Sequence, residues 1–106
     1  MNYEKALSLY RSDKTLQLLR AEHFPLLVGF FHLVFKQQDR ISYSQNELQG
    51  ILGDYLYGLE RQGINEYAKP PLDYLSKWAQ QGYLRRYYES ADEPVYELSP
   101  STENAL

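Results

Sequence analysis

The side chains that could do chemistry in this chain are few: two histidines, one Asp-Glu pair, and a group of cations and amides in the last third. His23 and His32 stand nine residues apart, and His32 falls inside the most apolar stretch, Leu26–Phe35. A structural or catalytic zinc site needs several nitrogen or sulfur ligands at short, regular spacing, and no such spacing occurs. There is no Cys, which excludes both a disulfide framework and a cysteine-based metal site. Asp92-Glu93 sits in the polar run Ser90–Glu93, where acidic residues serve turn chemistry and solubility. No phosphate-cradling glycine loop or nucleophile elbow is present. No catalytic residue, metal ligand or cofactor is therefore assigned, and the chain is expected to be non-enzymatic.

The remaining chemistry is binding. Lys69, Lys77, Gln80, Gln81, Arg85 and Arg86 are residue types that contact phosphates and base edges. They need a helix and a wing to position them, and Leu72–Leu98 supplies both. Pro70-Pro71 opens a helix, with Leu72, Leu75, Trp78 and Ala79 as its inward stripe and Tyr74 near the edge. Gly82 stops it, and Tyr83–Glu89 and Pro94–Leu98 read as two strands joined by the polar turn. Leu84 is expected inward, answered by Val95 or Tyr96. This is the second half of a winged helix-turn-helix, in which the helix would enter the major groove. Lys69, Lys77, Arg85 and Arg86 are then the candidate DNA contacts.

Charge weighs against that use. The chain carries a net charge of -3, and between Lys69 and Leu98 four basic residues face five acidic ones, a balance of -1. Proteins that hold DNA through its phosphates are usually basic, and so weak an attraction would be lost in salt. Arg85 and Arg86 serve equally well as charges that keep an edge strand from aggregating.

Upstream, Tyr3–Arg11 and a segment capped by Ser12 or Asp13 have helical spacing. Pro25 fits the first turn of a helix over Pro25–Lys36 that is apolar nearly all round and must be covered, by the N-terminal helices or by a partner chain. Arg40–Tyr43 could be a first short strand. Ser44-Gln45-Asn46-Glu47 reads as a capping box for a helix with Leu48, Ile51, Leu52, Tyr55, Leu56 and Leu59 on one face, ending near Gln62-Gly63. Ser99–Glu103 looks like the start of a further helix in a longer protein.

The fold class is thus mainly α with a small antiparallel sheet: a winged helix-turn-helix over 1–98 with extra N-terminal helices, and a truncated helix start over 99–106. No apolar run approaches the roughly 20 residues needed to span a bilayer, and no secretory leader is recognisable, so a cytoplasmic location is expected. Tyr supplies eleven of the chain's aromatic residues, a type suited to half-buried rims and interfaces. With the apolar helix, this favours a protein contact, with Tyr3, Tyr10, Phe24, Leu27, Phe31 and Phe35 as candidate interface residues.

Three stretches carry a family resemblance: YRSDKTLQLLRAEHFPLLVGFFHLVF, ISYSQNELQGILGDYLYGL, and YLSKWAQQGYLRRYYE followed by EPVYELSPSTENAL. The chain resembles the N-terminal winged-helix region of the kleisin-like subunit of Wadjet systems, called JetA or MksF and similar to MukF. The resemblance implies a self-associating region, a homodimer, in a subunit several times longer. Later segments of that subunit would bind the SMC ATPase and the small winged-helix (KITE, MukE-like) subunit. The assembled condensin-like complex would extrude DNA, act against plasmids and license a separate Toprim nuclease. This region would hold neither the ATPase nor the nuclease, and DNA would be met through the complex. The other reading of the residues is a winged-helix transcriptional regulator.

Overall fold

The apolar stretch forms helix α1, Phe24–Phe31, with Pro25 in its first turn and Leu27 N–H bonded to the His23 carbonyl at 3.0 Å. It runs on into a wider, π-helical turn over His32–Gln37. The computed structural model in which these elements are seen describes residues 3–4, 23–90 and 92–106. The helices expected over Tyr3–Arg11 and from Ser12 to Ala21 lie outside the described residues apart from Tyr3 and Glu4.

The widening has a reason in the sequence. Leu26, Phe30 and Val34 recur every four residues, as do Leu27, Phe31 and Phe35, and all six are buried. An α-helix turns about 100° per residue, so a four-residue repeat drifts by about 40° each time. A wider turn corrects the drift and returns Val34 and Phe35 to the core. The carbonyls of the last turn lack helical donors, and the Tyr43 hydroxyl donates to that of Val34. Asp39, at φ 50°, turns the chain away; short polar side chains tolerate this left-handed conformation.

Strand β1 follows at Ser42–Ser44, shifted from the expected Arg40–Tyr43. Ser44 then caps helix α2, Gln45–Arg61, its hydroxyl accepting from Glu47 N–H at 3.3 Å. Only this half of the expected capping box forms, because the Glu47 carboxylate is ion-paired with Arg40. Gly63, at φ 88°, ends the helix where expected. After the connector, helix α3 spans Pro71–Gln80 and is stopped by Gly82 at φ 83°. Its inner side is Tyr74, Leu75 and Trp78. Tyr74, expected near the edge, is buried because Trp78 packs beside it at 5.9 Å, whereas Leu72 is only half-buried.

Strands β2, Leu84–Tyr88, and β3, Pro94–Leu98, form the hairpin, and β1 pairs with the other side of β3, giving an antiparallel sheet of order β1-β3-β2. Leu84 stands opposite Leu98, not Val95 or Tyr96; Tyr96 lies between Arg86 and Tyr43. Helix α4, Pro100–Ala105, follows at once, capped by Ser99. The architecture is mainly helical with a small three-stranded antiparallel sheet.

Trp78 holds the core together. Its ring meets Phe31 edge-on at 5.3 Å and Phe30 at 6.2 Å, joining α3 to α1. Leu48 and Leu52 of α2 and Tyr96 and Leu98 of β3 complete the cluster.

Helices α1 and α2 approach closely at Gly29, where a Cβ would stand 2.6 Å from the Tyr55 hydroxyl. Tyr55 is pinned by its ring contact with Phe30 at 5.5 Å, so it cannot yield freely. Gly29→Ala should destabilise the domain by about 1–3 kcal/mol in urea unfolding, an overpacking cost. In a Tyr55→Phe background the same change should be neutral or stabilising by up to ~1 kcal/mol, the helix preference of Ala over Gly. A cost unchanged by Tyr55→Phe would refute the contact.

Candidate functional site

The surface a DNA reader would use is helix α3 and the hairpin. On α3 the side away from the core carries Asp73 and Gln80, both exposed, with Ser76 and Lys77 half-buried. Asp73 and Lys77 lie one turn apart and cancel. Lys69 is exposed just before the helix, and its N–H is bonded to the Tyr74 hydroxyl at 3.3 Å.

The hairpin's two arginines are separated by the pleat. Arg85 stands on the outer face opposite Glu97 and pairs with it at 3.3 Å. Its guanidinium also lies 4.7 Å from the Tyr87 ring, and the Tyr87 hydroxyl reaches Glu97 at 3.4 Å. Partial burial raises the Tyr87 pKa, helped by the Glu97 and Glu89 carboxylates. Arg85 is thus held in a closed cluster on its own sheet. Arg86 is exposed on the opposite face and makes no ion pair among the described residues. Of the four candidate cations, the pleat sends Arg85 and Arg86 to opposite faces of the sheet.

The acidic turn has a structural task that sequence reasoning missed. The Glu93 carboxylate accepts from Asn46 N–H at 2.5 Å, and the Tyr96 hydroxyl donates to Gln45 Oε1 at 3.0 Å. Glu93 and Ser44 therefore satisfy two successive free donors at the start of α2, where the helix dipole also favours negative charge. The two residues stand 47 positions apart, and no local motif announces such a pair.

The expected interface residues need correction. Leu27, Phe31 and Phe35 are core residues, enclosed by the chain itself, because Trp78 and the sheet cover that side of α1. Leu27 and Phe31 offer no surface to a partner, and Phe35 reaches solvent only at the groove beside Ile41. Tyr3 is exposed. Tyr10 and the side chain of Phe24 lie outside the described residues. Among the described residues the large apolar side chain most open to solvent is instead Ile41, at 80% exposure, directly before β1. Beside it lies a groove of about 230 Å³ lined by Phe35, Leu98 and Pro100, with Lys36, Asp39 and Glu103 at its rim. A lone Ile between Arg40 and Ser42 gives no periodic signal, so only the geometry reveals it.

Among the described residues no group of three or more His, Asp or Glu side chains could hold a metal, and no helix is long and apolar enough to cross a membrane.

A family model described as Protein of unknown function (DUF3375) matches residues 8–106. The chain is also similar to an uncharacterized protein of Mycolicibacterium smegmatis, 33% identical over 109 residues. That alignment takes in 99% of this chain and 23% of the relative, so the chain spans less than a quarter of the relative's length. No solved structure matches.

Two outcomes are expected. Glu93→Ala should cost about 0.5–2 kcal/mol, the usual loss for a removed cap, and should speed amide exchange at Asn46; exchange unchanged at Asn46 would show that the tie is idle. Burial holds the Tyr43 hydroxyl above the usual tyrosine pKa, with Glu47 adding to the effect and Arg40 opposing it. The folded state then binds this proton more tightly than the unfolded one. Its contribution is complete below pH ~10 and is lost as pH rises through the folded pKa. Tyr43→Phe should lower stability at neutral pH and flatten the alkaline decline in pH-dependent unfolding; an equally steep decline would refute the assignment.

Proposed function

We propose that this chain, which belongs to the DUF3375 family, is a non-catalytic winged-helix module that scaffolds a longer protein by pairing with a second copy of itself. The order helix, strand, helix, helix, hairpin, with β1 beside β3, supports the winged-helix reading. The observation that carries self-association is Ile41, 80% exposed on the wall of a groove in which Phe35, Leu98 and Pro100 are mixed with charged side chains. A protruding aliphatic side chain next to a recess is self-complementary, which is what a two-fold contact requires. The rim carries both charge signs, so opposite charges can meet across such a contact.

The resemblance to kleisin-like subunits of Wadjet-type SMC complexes extends this proposal. In that setting the module would sit in the cytoplasm as a dimerisation point. The SMC ATPase, the KITE subunit and the Toprim nuclease would be engaged by the rest of the assembly, with DNA met through the complex. Capture of Arg85 by Glu97, and of Glu93 by α2, supports a scaffold over a groove reader.

A DNA-binding regulator is the second reading, favoured by Arg86 and Lys69, both exposed. Its test is a gel shift with Lys77, Arg85 and Arg86 changed to Glu; tight, sequence-dependent binding abolished by these changes would establish it over the scaffold.

For the scaffold, sedimentation across a concentration series should show a dimer that Ile41→Asp converts to a monomer that still unfolds cooperatively, at a midpoint no longer dependent on concentration. A wild-type chain that stays monomeric at high micromolar concentration would overturn the proposal.

A further inference from the structure

The sheet has an edge strand on each side, β2 and β1, and the two edges differ in kind. Strand β2 carries Arg85 and Arg86, so a second copy paired to it around Arg86 would set like charges opposite each other. Strand β1 is Ser42-Tyr43-Ser44, without a charge, and Ile41 stands exposed at its start.

The register shows which backbone groups of β1 face outward. Ser99 N–H is bonded to the Tyr83 carbonyl at 3.2 Å, one step beyond the Leu84–Leu98 pair, so Ser99 points toward β2. Backbone groups alternate in direction along an antiparallel strand, so Tyr96 points the other way, toward Tyr43. Ser42 and Ser44 therefore direct their N–H and C=O groups away from the sheet. The Ser44 carbonyl is drawn into the first turn of α2, which Ser44 caps. Among the described residues the N–H groups of Ser42 and Ser44 have no further partner. The Ser42 carbonyl has one, Arg40 Nε at 3.0 Å. The same guanidinium lies 4.0 Å from the Tyr43 ring and is ion-paired with Glu47 of α2. Arg40 is thus folded back across the outer edge of its own strand.

The outward groups match a second copy of the same edge. In a two-fold antiparallel pairing centred on Ser42, each Ser42 N–H meets the Ser42 carbonyl of the other copy. Each Ser44 N–H meets the other copy's Arg40 carbonyl. The two groups this register leaves over are already used: Arg40 N–H by the Phe35 carbonyl at 3.3 Å, and the Ser44 carbonyl by α2. Ile41 comes to stand opposite Tyr43 of the other copy. The Arg40 side chain occupies the one acceptor that this pairing needs.

We propose that Arg40 is a latch on the dimer edge. Closed, it withholds the Ser42 carbonyl; released from Glu47, it lets two copies join β1 to β1 in one continuous sheet. This rests on the self-association reading and names the control of that contact. The latch is held by an ion pair whose side chains are 47% and 42% exposed, and exposed pairs are weak, so the latch can yield to a second copy.

The test is sedimentation of the chain carrying Arg40→Ala and Glu47→Ala together. The double change leaves the net charge as it is and keeps Glu47 from turning back onto the Ser44 N–H in a full capping box. The dimer Kd should fall about tenfold, because two weak latches are removed per dimer. Amide exchange at Ser42 should slow as protein concentration rises, in the wild type and further in the variant. A dimer no tighter in the double variant, or Ser42 exchange indifferent to concentration, would overturn the latch, while a dimer abolished by Ile41→Asp would still uphold self-association. A chain that stays monomeric with and without the double change would overturn both.

Discussion

Everything in this domain depends on enclosing a helix that has almost no polar side. Leu26, Leu27, Phe30, Phe31, Val34 and Phe35 would leave a large apolar surface in water if α1 stood alone, and each such side chain gains about 1.5–3 kcal/mol from burial. Trp78 is the principal cover, meeting two of the phenylalanines directly. The requirement explains why α3 turns Tyr74, Leu75 and Trp78 inward, and why Tyr96 and Leu98 point from the sheet toward the same cluster. It also explains the π-helical turn, which keeps a four-residue repeat facing one core. An interior organised in this way uses the aromatic residues that would otherwise mark a contact surface.

Much of the framework was legible in the chain. Ser44 capped its helix, Gly63 and Gly82 ended theirs, Pro71 opened α3, and the hairpin followed the alternation of Leu84–Tyr88 and Pro94–Leu98. These are local signals, set by backbone geometry within a few residues. What the chain did not disclose was long-range. Periodicity shows that a helix is apolar all round, yet cannot say what will cover each side, so Leu27, Phe31 and Phe35 read as candidates for a partner when the chain covers them itself. Glu93 read as a solubilising turn residue because its partner, Asn46, is distant in sequence. The charge count set four cations against five acids in this segment, and one such pair forms, Arg85 with Glu97.

The surface that remains is sparse and divided. Helix α3 presents a balanced exterior, the outer sheet face carries the Arg85–Glu97–Tyr87 cluster, and among the described residues Tyr3, Ile41, Tyr57 and Tyr88 are the large apolar side chains left exposed.

The pairing of β1 with β3 joins Ser42 to Glu97 across the whole of α2, α3 and the hairpin's first strand. This contact makes residues 42–97 a closed circuit, fastened by the sheet as well as by the peptide bonds. The connector between α2 and α3 is one arc of that circuit. A cut there would leave two pieces, the first contributing one strand and the second two to the same sheet, and both contributing helices to one core, so the sheet and core hold the halves together as well as the connector does. Lengthening the connector should therefore cost the domain mainly loop-closure entropy, which grows slowly with length.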